Sequence, residues 1–155
     1  MEIADLVSND EQHVIANLKV SSKKQALQEL ARIASEIINE PEREIFDVLL
    51  ERERLGTTGV GQGVAIPHGK LPSIDRLYGV FARLDNPIDF QSIDEQPVDL
   101  IFLLLAPESA GADHLKALAK VSRLLRNKKT CDLIRGSDSA GAIHALLTQP
   151  VAHAA

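Results

Sequence analysis

The sequence predicts a three-layer α/β domain in which a mixed β-sheet is flanked by helices. Helix-like and strand-like segments interleave along the 155 residues without a strict strand–helix–strand rhythm, and this pattern favours a mixed sheet. Residues 98–105 are nearly all apolar, which is typical of a central strand covered on both faces. No linker-like stretch separates two regions, so we expect residues 1–155 to form a single domain.

Two helices are predicted in the N-terminal third of the chain. Ser22, followed three residues later by Gln25, has the pattern of a capping box and predicts a helix that extends to about Asn39. Pro41 suits the first position of a second helix, because proline needs no hydrogen-bond acceptor for its nitrogen there. Gly56 is expected to end this second helix.

The middle of the chain predicts a loop followed by strands. Residues 56–63 are rich in glycine and threonine and are expected to form the loop. A short apolar strand is predicted at residues 64–66, where Pro67 interrupts it. Residues 77–84 alternate loosely between apolar and polar side chains and are predicted to form a further strand before the central one.

The C-terminal third predicts two more helices. Asp113 is expected to cap a third long helix, and a last helix is predicted at about residues 138–147. One apolar side of the third helix is predicted to comprise Leu115, Leu118, Val121 and Leu125.

Composition excludes several classes of protein. Aromatic residues make up only 3% of the chain and the net charge is −5, so a nucleic-acid-binding function is not expected. The single cysteine, Cys131, cannot form an internal disulfide or a thiolate metal cluster, and we expect it to be a small buried side chain. The N-terminus lacks the pattern of a signal peptide, and the longest apolar run, residues 100–106, is too short to span a bilayer. We therefore expect a cytoplasmic protein without membrane insertion.

A glycine-rich segment carries the features of an anion site. Five glycines between Gly56 and Gly69, with Gly59 among them, leave backbone amides accessible, and such a loop can direct several N–H groups at an anion. Thr57 and Thr58 add hydroxyl donors to this loop. Arg52, near the end of the second predicted helix, can supply a guanidinium group.

His68 lies at the end of this segment. Pro67 stiffens the backbone before it, and Gly69 leaves space after it. A neutral histidine presents a nucleophilic nitrogen near pH 7, so His68 is a candidate phosphoryl acceptor. Phosphoryl transfer requires mainly positioning and stabilisation of charge on the phosphoryl oxygens. The alternative is that His68 is an ordinary residue of a surface turn.

Two familiar nucleotide-binding motifs do not match. The spacing from Gly63 to Gly69 and Lys70 is one residue longer than in a P-loop, and Leu71 replaces the hydroxyl residue that would hold magnesium. The glycines of residues 59–63 precede a predicted strand, whereas the dinucleotide-binding fingerprint opens a helix. Nucleotide binding is therefore not favoured.

Taken together, these motifs closely resemble the phosphorylation-site region of type 2 (mannitol/fructose-like) IIA domains of bacterial phosphotransferase systems. The resemblance rests on Gly-Val-Ala-Ile-Pro-His-Gly at residues 63–69, on Arg52, and on Thr-Thr-Gly at residues 57–59. It extends to residues 98–107, which are similar to the family's central strand, and to His114, at the position of its second histidine. The resemblance implies a mixed sheet flanked by helices.

The resemblance also implies the roles of the site residues. His68 would receive a phosphoryl group on Nε2 from an HPr-like carrier protein, with His114 and Arg52 as the other active-site residues. In the first turn of a helix, His114 would be kept neutral by the helix dipole and could donate a hydrogen bond to the phosphoryl group. It could also be merely a helix-start residue at the edge of the core. Thr57, Thr58, Gly59 and Gly69 are expected to contact the phosphate, and no metal or cofactor is expected.

Residues 52–71 are most similar to the nitrogen-regulatory branch of this family. That similarity implies a regulatory output, in which target proteins, such as those of potassium transport or sensor kinases, respond to the phosphorylation state of His68. The alternative within the family is a sugar-specific IIA component that passes the phosphoryl group to a IIB domain. Outside the family, the alternatives are a metal-dependent hydrolase that uses His68 and His114, and a binding module without phosphoryl transfer.

Overall fold

A mixed six-stranded β-sheet lies between two layers of helices in the part of the chain that the computed structural model describes, residues 2–8 and 11–149. The helices are α1 (Ile3–Val7), α2 (Lys23–Ile38), α3 (Glu42–Leu55), α4 (Ala112–Leu125), α5 (Lys128–Arg135) and α6 (Ala140–Thr148). The strands are β1 (Val14–Leu18), β2 (Gly59–Gly61), β3 (Val64–Ala65), β4 (His68–Leu71), β5 (Tyr78–Ile88) and β6 (Val98–Pro107). The predicted three-layer arrangement with a mixed sheet is confirmed.

The sheet is organised around β6. Strand β5 pairs antiparallel with one side of β6, so that Phe81 lies opposite Phe102, and β1 pairs in parallel with the outer side of β5. Strands β3 and β4 follow one another along the other side of β6, and both pair with it in parallel. Strand β2 pairs antiparallel with β3 at the edge of the sheet.

Residues of β6 supply both hydrophobic cores. Ile101 and Leu103 pack in the core formed with α2 and α3. Phe102 and Leu104 point to the opposite face and pack with α1, α4, α5 and α6. Each of these four side chains is fully buried, which stabilises the fold by about 1.5–3 kcal/mol per large apolar side chain. The continuous apolar run is thus explained by a strand with helices on both faces.

The two N-terminal helices begin and end close to the predicted positions. The Ser22 hydroxyl accepts a hydrogen bond from the Gln25 backbone N–H at 3.1 Å, and α2 stops at Asn39 in a left-handed conformation. The Gln25 side chain accepts from the backbone of Ser21 instead of closing the box on Ser22. Pro41 precedes α3 as its N-cap and is not its first helical residue.

The start of α4 differs from the prediction. Gly111 is the N-cap, and the Asp113 side chain lies inside the first turn without capping the helix. A positive φ of 54° at Gly111 explains why glycine occupies that position. Leu115, predicted to face the core, is 67% exposed, and the buried side of the helix includes Ala117 and Leu124 instead. The last helix is capped by Ser139, close to the predicted start.

Several elements were not predicted. The prediction lacks helices α1 and α5 and strand β1. Helix α1 and strand β1 are only five residues long, which is too short to show a clear periodicity. Helix α5 buries only Cys131 and Ile134, so its apolar side is small. The predicted loop at residues 56–63 contains β2, and β4 begins at His68, for which a surface turn was the alternative interpretation. Strand β5 continues past Leu84, where the predicted strand ended. Its register with β6 shifts between Arg83 and Ile88, and the alternation of apolar and polar side chains does not continue through this irregularity. None of the described helices combines the length and apolarity needed to cross a membrane.

Candidate functional site

His68 is the first residue of β4 and lies in register with Leu104 of the central strand. The backbone is held there by a hydrogen bond from the Leu104 N–H to the Pro67 carbonyl at 3.0 Å. The alternative, in which His68 is a residue of a surface turn, does not hold, because pairing with β6 extends the chain at this point. The side chain remains only partly buried, so one edge of the imidazole stays accessible.

Hydrogen bonds at both ring nitrogens define the tautomer of His68. Nδ1 lies 2.8 Å from the carbonyl oxygen of Ile66, and this nitrogen must carry the proton because a carbonyl can only accept. Nε2 is therefore the nitrogen with the lone pair. It accepts a hydrogen bond from Nε of Arg52 at 3.2 Å. The arrangement presents Nε2 as the nucleophilic atom beside a guanidinium group.

Arg52 reaches His68 from the last turn of α3. Its Nη1 donates to the carbonyl oxygen of Gly56 at 2.9 Å, directly after the end of the helix. The guanidinium is thus held at one end by the loop and at the other by the imidazole. Because guanidinium groups have several donors in one plane, this side chain can exchange the ring nitrogen for phosphoryl oxygens without leaving the site.

His114 approaches His68 from the first turn of α4. The centroids of the two rings are 5.6 Å apart, and the rings are inclined at 52°. Nε2 of His114 is buried and has no hydrogen-bond partner among the described residues. The N-terminal turn of the helix also presents free backbone N–H groups and the positive end of the helix dipole. Arg52 and His114 therefore place two side chains with N–H donors beside the His68 ring, as an anion site requires.

Both histidines are biased towards the neutral form. Burial lowers the pKa of His68, and the charge of Arg52 adds to this effect, while the hydrogen bond to Ile66 and the charge of Glu53 partly oppose it. Burial also lowers the pKa of His114, with further contributions from His68 and Lys70. A pKa below the ordinary value of about 6.5 keeps an imidazole neutral, and so nucleophilic, near pH 7.

The donors of Thr57, Thr58 and Gly59 are already used inside the protein. The hydroxyl of Thr57 donates to the carbonyl of Phe90 at 3.1 Å and accepts from the N–H of Gly59 at 3.0 Å. Both the backbone N–H and the hydroxyl of the buried Thr58 donate to the carboxylate of Glu53. This differs from the predicted contacts with phosphate. A loop that crosses buried surface must satisfy its own polar groups first.

Gly69 has a packing role that the sequence did not predict, while its contact with phosphate stays a prediction. A Cβ atom at this position would lie less than 3.0 Å from Cγ1 of Val48 in α3, far inside the normal contact distance. The glycine therefore permits close packing of α3 against β4. Since Arg52 lies on α3 and His68 on β4, this close approach sets the distance between the two side chains.

Sequence reasoning missed Glu53 as a residue of this region. Its carboxylate is buried, with only 8% of the residue exposed, and it forms an ion pair of 2.9 Å with Lys23 of α2. The signal was present in the sequence. Glu53 follows Ile45 and Leu49 at intervals of four residues and so occupies a buried position on α3 that an apolar residue would normally fill.

Two other histidines and the cysteine make contacts with backbone carbonyls outside this site. His13 is buried, with Nδ1 at 2.8 Å from the carbonyl of Gly79, and His144 lies with Nε2 at 2.6 Å from the carbonyl of Ser8. Cys131 is buried, as expected, and its thiol contacts a backbone carbonyl. Within residues 2–8 and 11–149, no group of three histidine, cysteine, aspartate or glutamate side chains could hold a metal ion.

Comparison with known proteins adds the family context. Residues 8–149 match the family described as "Phosphoenolpyruvate-dependent sugar phosphotransferase system, EIIA 2". A nitrogen regulatory protein of Bradyrhizobium diazoefficiens is 59% identical over 155 residues, which cover 100% of both chains. The crystal structure of the nitrogen regulatory protein IIA-Ntr from Neisseria meningitidis is 34% identical, has a TM-score of 0.88, and is matched over 94% of this chain and 99% of that chain.

A more distant structure has the same fold. The crystal structure of IIA mannitol from Escherichia coli is 19% identical and has a TM-score of 0.75, with 89% of this chain and 97% of that chain covered. At this level of identity the likeness concerns the fold alone. The sequence-based resemblance is confirmed by these matches.

Proposed function

The chain belongs to the EIIA type 2 family of the phosphoenolpyruvate-dependent sugar phosphotransferase system, and we propose that it carries a phosphoryl group transiently on Nε2 of His68. The observation that carries this proposal is the tautomer of His68. Its proton is held on Nδ1 by the carbonyl of Ile66, so the lone pair of Nε2 points towards Arg52 in a half-buried site.

The proposed transfer requires no net movement of a proton. Nε2 of His68 attacks the phosphorus of a phosphohistidine on an HPr-like carrier, a new N–P bond forms, and the carrier's N–P bond breaks with its electron pair returning to the carrier's imidazole. The proton on Nδ1 stays in its hydrogen bond to Ile66 throughout. That bond also stabilises the positive charge that the His68 ring acquires when Nε2 is phosphorylated.

Arg52 and His114 are proposed to stabilise the transferred group. Arg52 must release the lone pair of Nε2 as the phosphorus approaches, and its donors then face the phosphoryl oxygens. A phosphoryl oxygen would supply the partner that Nε2 of His114 lacks, provided that this nitrogen carries the proton of a neutral ring. Both groups would stabilise negative charge on the phosphoryl oxygens, which reaches this site only as transfer proceeds.

The output is proposed to be regulatory. The relative from Bradyrhizobium diazoefficiens is a nitrogen regulatory protein, and the identity extends over the whole of both chains. Phosphorylation adds roughly two negative charges at pH 7, which changes the partners that can dock around His68. We propose that regulatory target proteins, such as potassium-transport proteins or sensor kinases, distinguish the two states by this charge.

Phosphorylation can be tested directly. The protein is incubated with phosphoenolpyruvate, an enzyme I and an HPr-like carrier, and its intact mass is measured before and after brief acid treatment. We expect an acid-labile gain of one phosphoryl group that is lost in His68→Ala and retained in His144→Ala, which removes a histidine bound to Ser8. A wild-type protein that gains no mass with any cognate carrier would contradict the proposal, and would favour a binding module.

A second experiment separates the two branches of the family. The phosphorylated protein is mixed with a IIB domain and its sugar, and the rate at which the phosphoryl group leaves His68 is followed. A regulatory protein should retain the group over the time in which a sugar-specific IIA component transfers it. Rapid onward transfer to sugar would overturn the regulatory assignment and leave the phosphocarrier assignment intact.

A further inference from the structure

The buried carboxylate of Glu53 is the feature from which a further role can be inferred. Three donors converge on it: the ammonium group of Lys23 at 2.9 Å, the backbone N–H of Thr58 at 3.0 Å, and the hydroxyl of Thr58. A buried carboxylate without partners would cost several kcal/mol, so these contacts are required for the group to remain in place. Two of the three donors come from Thr58, which makes this loop residue the principal partner.

A chain of hydrogen bonds leads from this carboxylate to the reactive imidazole. Thr58, held by Glu53 through its N–H and hydroxyl, accepts with its carbonyl from the backbone N–H of Ile66 at 2.9 Å. The carbonyl of Ile66 in turn accepts the Nδ1 proton of His68 at 2.8 Å. Only Thr58 and Ile66 therefore separate the carboxylate from the ring whose tautomer determines which nitrogen is nucleophilic.

The same loop also holds the guanidinium beside the ring. Arg52 directly precedes Glu53 in α3, and its Nη1 is anchored on the carbonyl of Gly56, two residues before Thr58. The contact of Glu53 with Thr58 fixes the course of residues 56–58 relative to the helix end. Together with the hydrogen bond from the Gly56 N–H to the Glu53 carbonyl at 3.1 Å, this contact positions the Gly56 carbonyl that holds Arg52.

We propose that Glu53 is a positioning residue for phosphoryl transfer, which acts through Thr58 and Ile66 to hold the Nδ1–H tautomer of His68 and through the loop to orient Arg52. This inference rests on the proposed function at His68. It differs from a simple stabilising ion pair with Lys23, because that role would affect the free energy of unfolding without changing the tautomer of His68.

The test compares Glu53→Gln with two control variants. Each control also removes a stabilising contact on this side of the sheet but leaves the hydrogen bonds between Glu53 and Thr58 in place. Glu53→Gln keeps the volume but replaces one acceptor oxygen with a donor that cannot satisfy Thr58. Lys23→Met removes the ion pair and leaves the Thr58 contacts in place. Ile45→Val removes one buried methyl group from the same side of α3, about two turns of helix before Glu53.

Two readouts are measured on the full chain. The ¹⁵N chemical shifts of the His68 ring report the tautomer without any carrier, and the rate of phosphoryl transfer from a phosphorylated HPr-like carrier reports positioning. Misplaced reacting groups slow transfer by about 10- to 100-fold, so we expect a loss of this size in Glu53→Gln, together with a mixed-tautomer spectrum. Lys23→Met and Ile45→Val should keep the wild-type tautomer. Their transfer rates should fall less than about threefold below that of the wild type.

If Glu53→Gln fails to fold, Thr58→Val and Thr58→Ser provide the smaller change. Valine removes the hydroxyl bond to Glu53 and should mix the tautomers, while serine restores the hydroxyl and should restore the wild-type spectrum. A wild-type tautomer in Glu53→Gln or Thr58→Val, or a rate loss no greater than in Ile45→Val, would overturn the positioning role. If the wild-type protein is never phosphorylated but the variants show these spectral changes, only the proposed function is contradicted.

Discussion

Replacing Gly69 with alanine should force α3 away from β4. The new Cβ would lie less than 3.0 Å from Cγ1 of Val48, whereas carbon atoms pack at about 3.5–4.0 Å, so the Val48 side chain must rotate or the two elements must separate by more than about 1 Å. Overpacking of this kind costs about 1–3 kcal/mol in free energy of unfolding. The core on this side of the sheet is well packed, so we expect a value in the upper half of that range.

A second substitution isolates the contact. Val48 is only partly buried, so Val48→Ala alone should cost about 1 kcal/mol, but it removes the γ carbon that the new Cβ would meet. In that background, Gly69→Ala should be close to neutral, because alanine in a strand is favoured over glycine by about 0.5–1 kcal/mol. The double-mutant cycle should therefore give a coupling energy of about 2–3 kcal/mol.

Urea unfolding followed by far-UV circular dichroism measures all four free energies, and equal slopes in urea confirm that the unfolded states are comparable. The phosphoryl-transfer rate should fall in Gly69→Ala and recover in the double variant, since α3 carries Arg52 and β4 carries His68. Additive free energies, within about 0.5 kcal/mol, would refute the steric explanation. An unchanged stability of Gly69→Ala with slower transfer would instead support the predicted contact of Gly69 with phosphate.

Three further predictions concern titratable and charged side chains, two at the site and one in an ion pair outside it. Arg52→Met should raise the pKa of His68, because it removes a positive charge beside the ring, and an NMR titration in which the pKa is unchanged would contradict this. In the same titration, His68→Gln should raise the pKa of His114, although burial, the largest cause, should keep that pKa below its ordinary value. Asp99→Asn should lower the free energy of unfolding by about 1–2 kcal/mol, because it weakens the partly buried ion pair in which Nε of Arg135 lies 2.9 Å from Oδ2 of Asp99. A urea midpoint equal to that of the wild type would contradict this.

The elements that were predicted correctly depend on local signals. Strand β6 is recognisable from its apolar run, and α2 from its Ser22 cap and its apolar spacing. Strand β4 carries no such signal, because His-Gly-Lys-Leu does not alternate, and the segment is extended only since it pairs with β6. The N-cap at Gly111 was missed in favour of Asp113, because an aspartate in the first turn can either cap or simply favour the helix dipole.

The predicted site residues divide in the same way. His68, His114 and Arg52 were identified from motifs, and the structure brings these three side chains together. The hydroxyl donors of Thr57 and Thr58 were also assigned to the anion, but their hydrogen-bond partners, Phe90 and Glu53, are specified only by the folded chain. A sequence contains the donors of a loop, whereas the acceptors can lie far away along the chain.

By itself, the sequence determined the layer architecture, the family, and the histidine and arginine on which phosphoryl transfer is proposed to depend. Periodicity, capping residues and the Ile-Pro-His motif are properties of neighbouring residues, so they can be identified from the sequence alone. Only the tertiary structure decided that Nδ1 of His68 is hydrogen-bonded to Ile66, which leaves the lone pair on Nε2, and that a buried glutamate lies close to Arg52 in α3. These features depend on the direction of individual hydrogen bonds between segments that pack together only when the sheet forms.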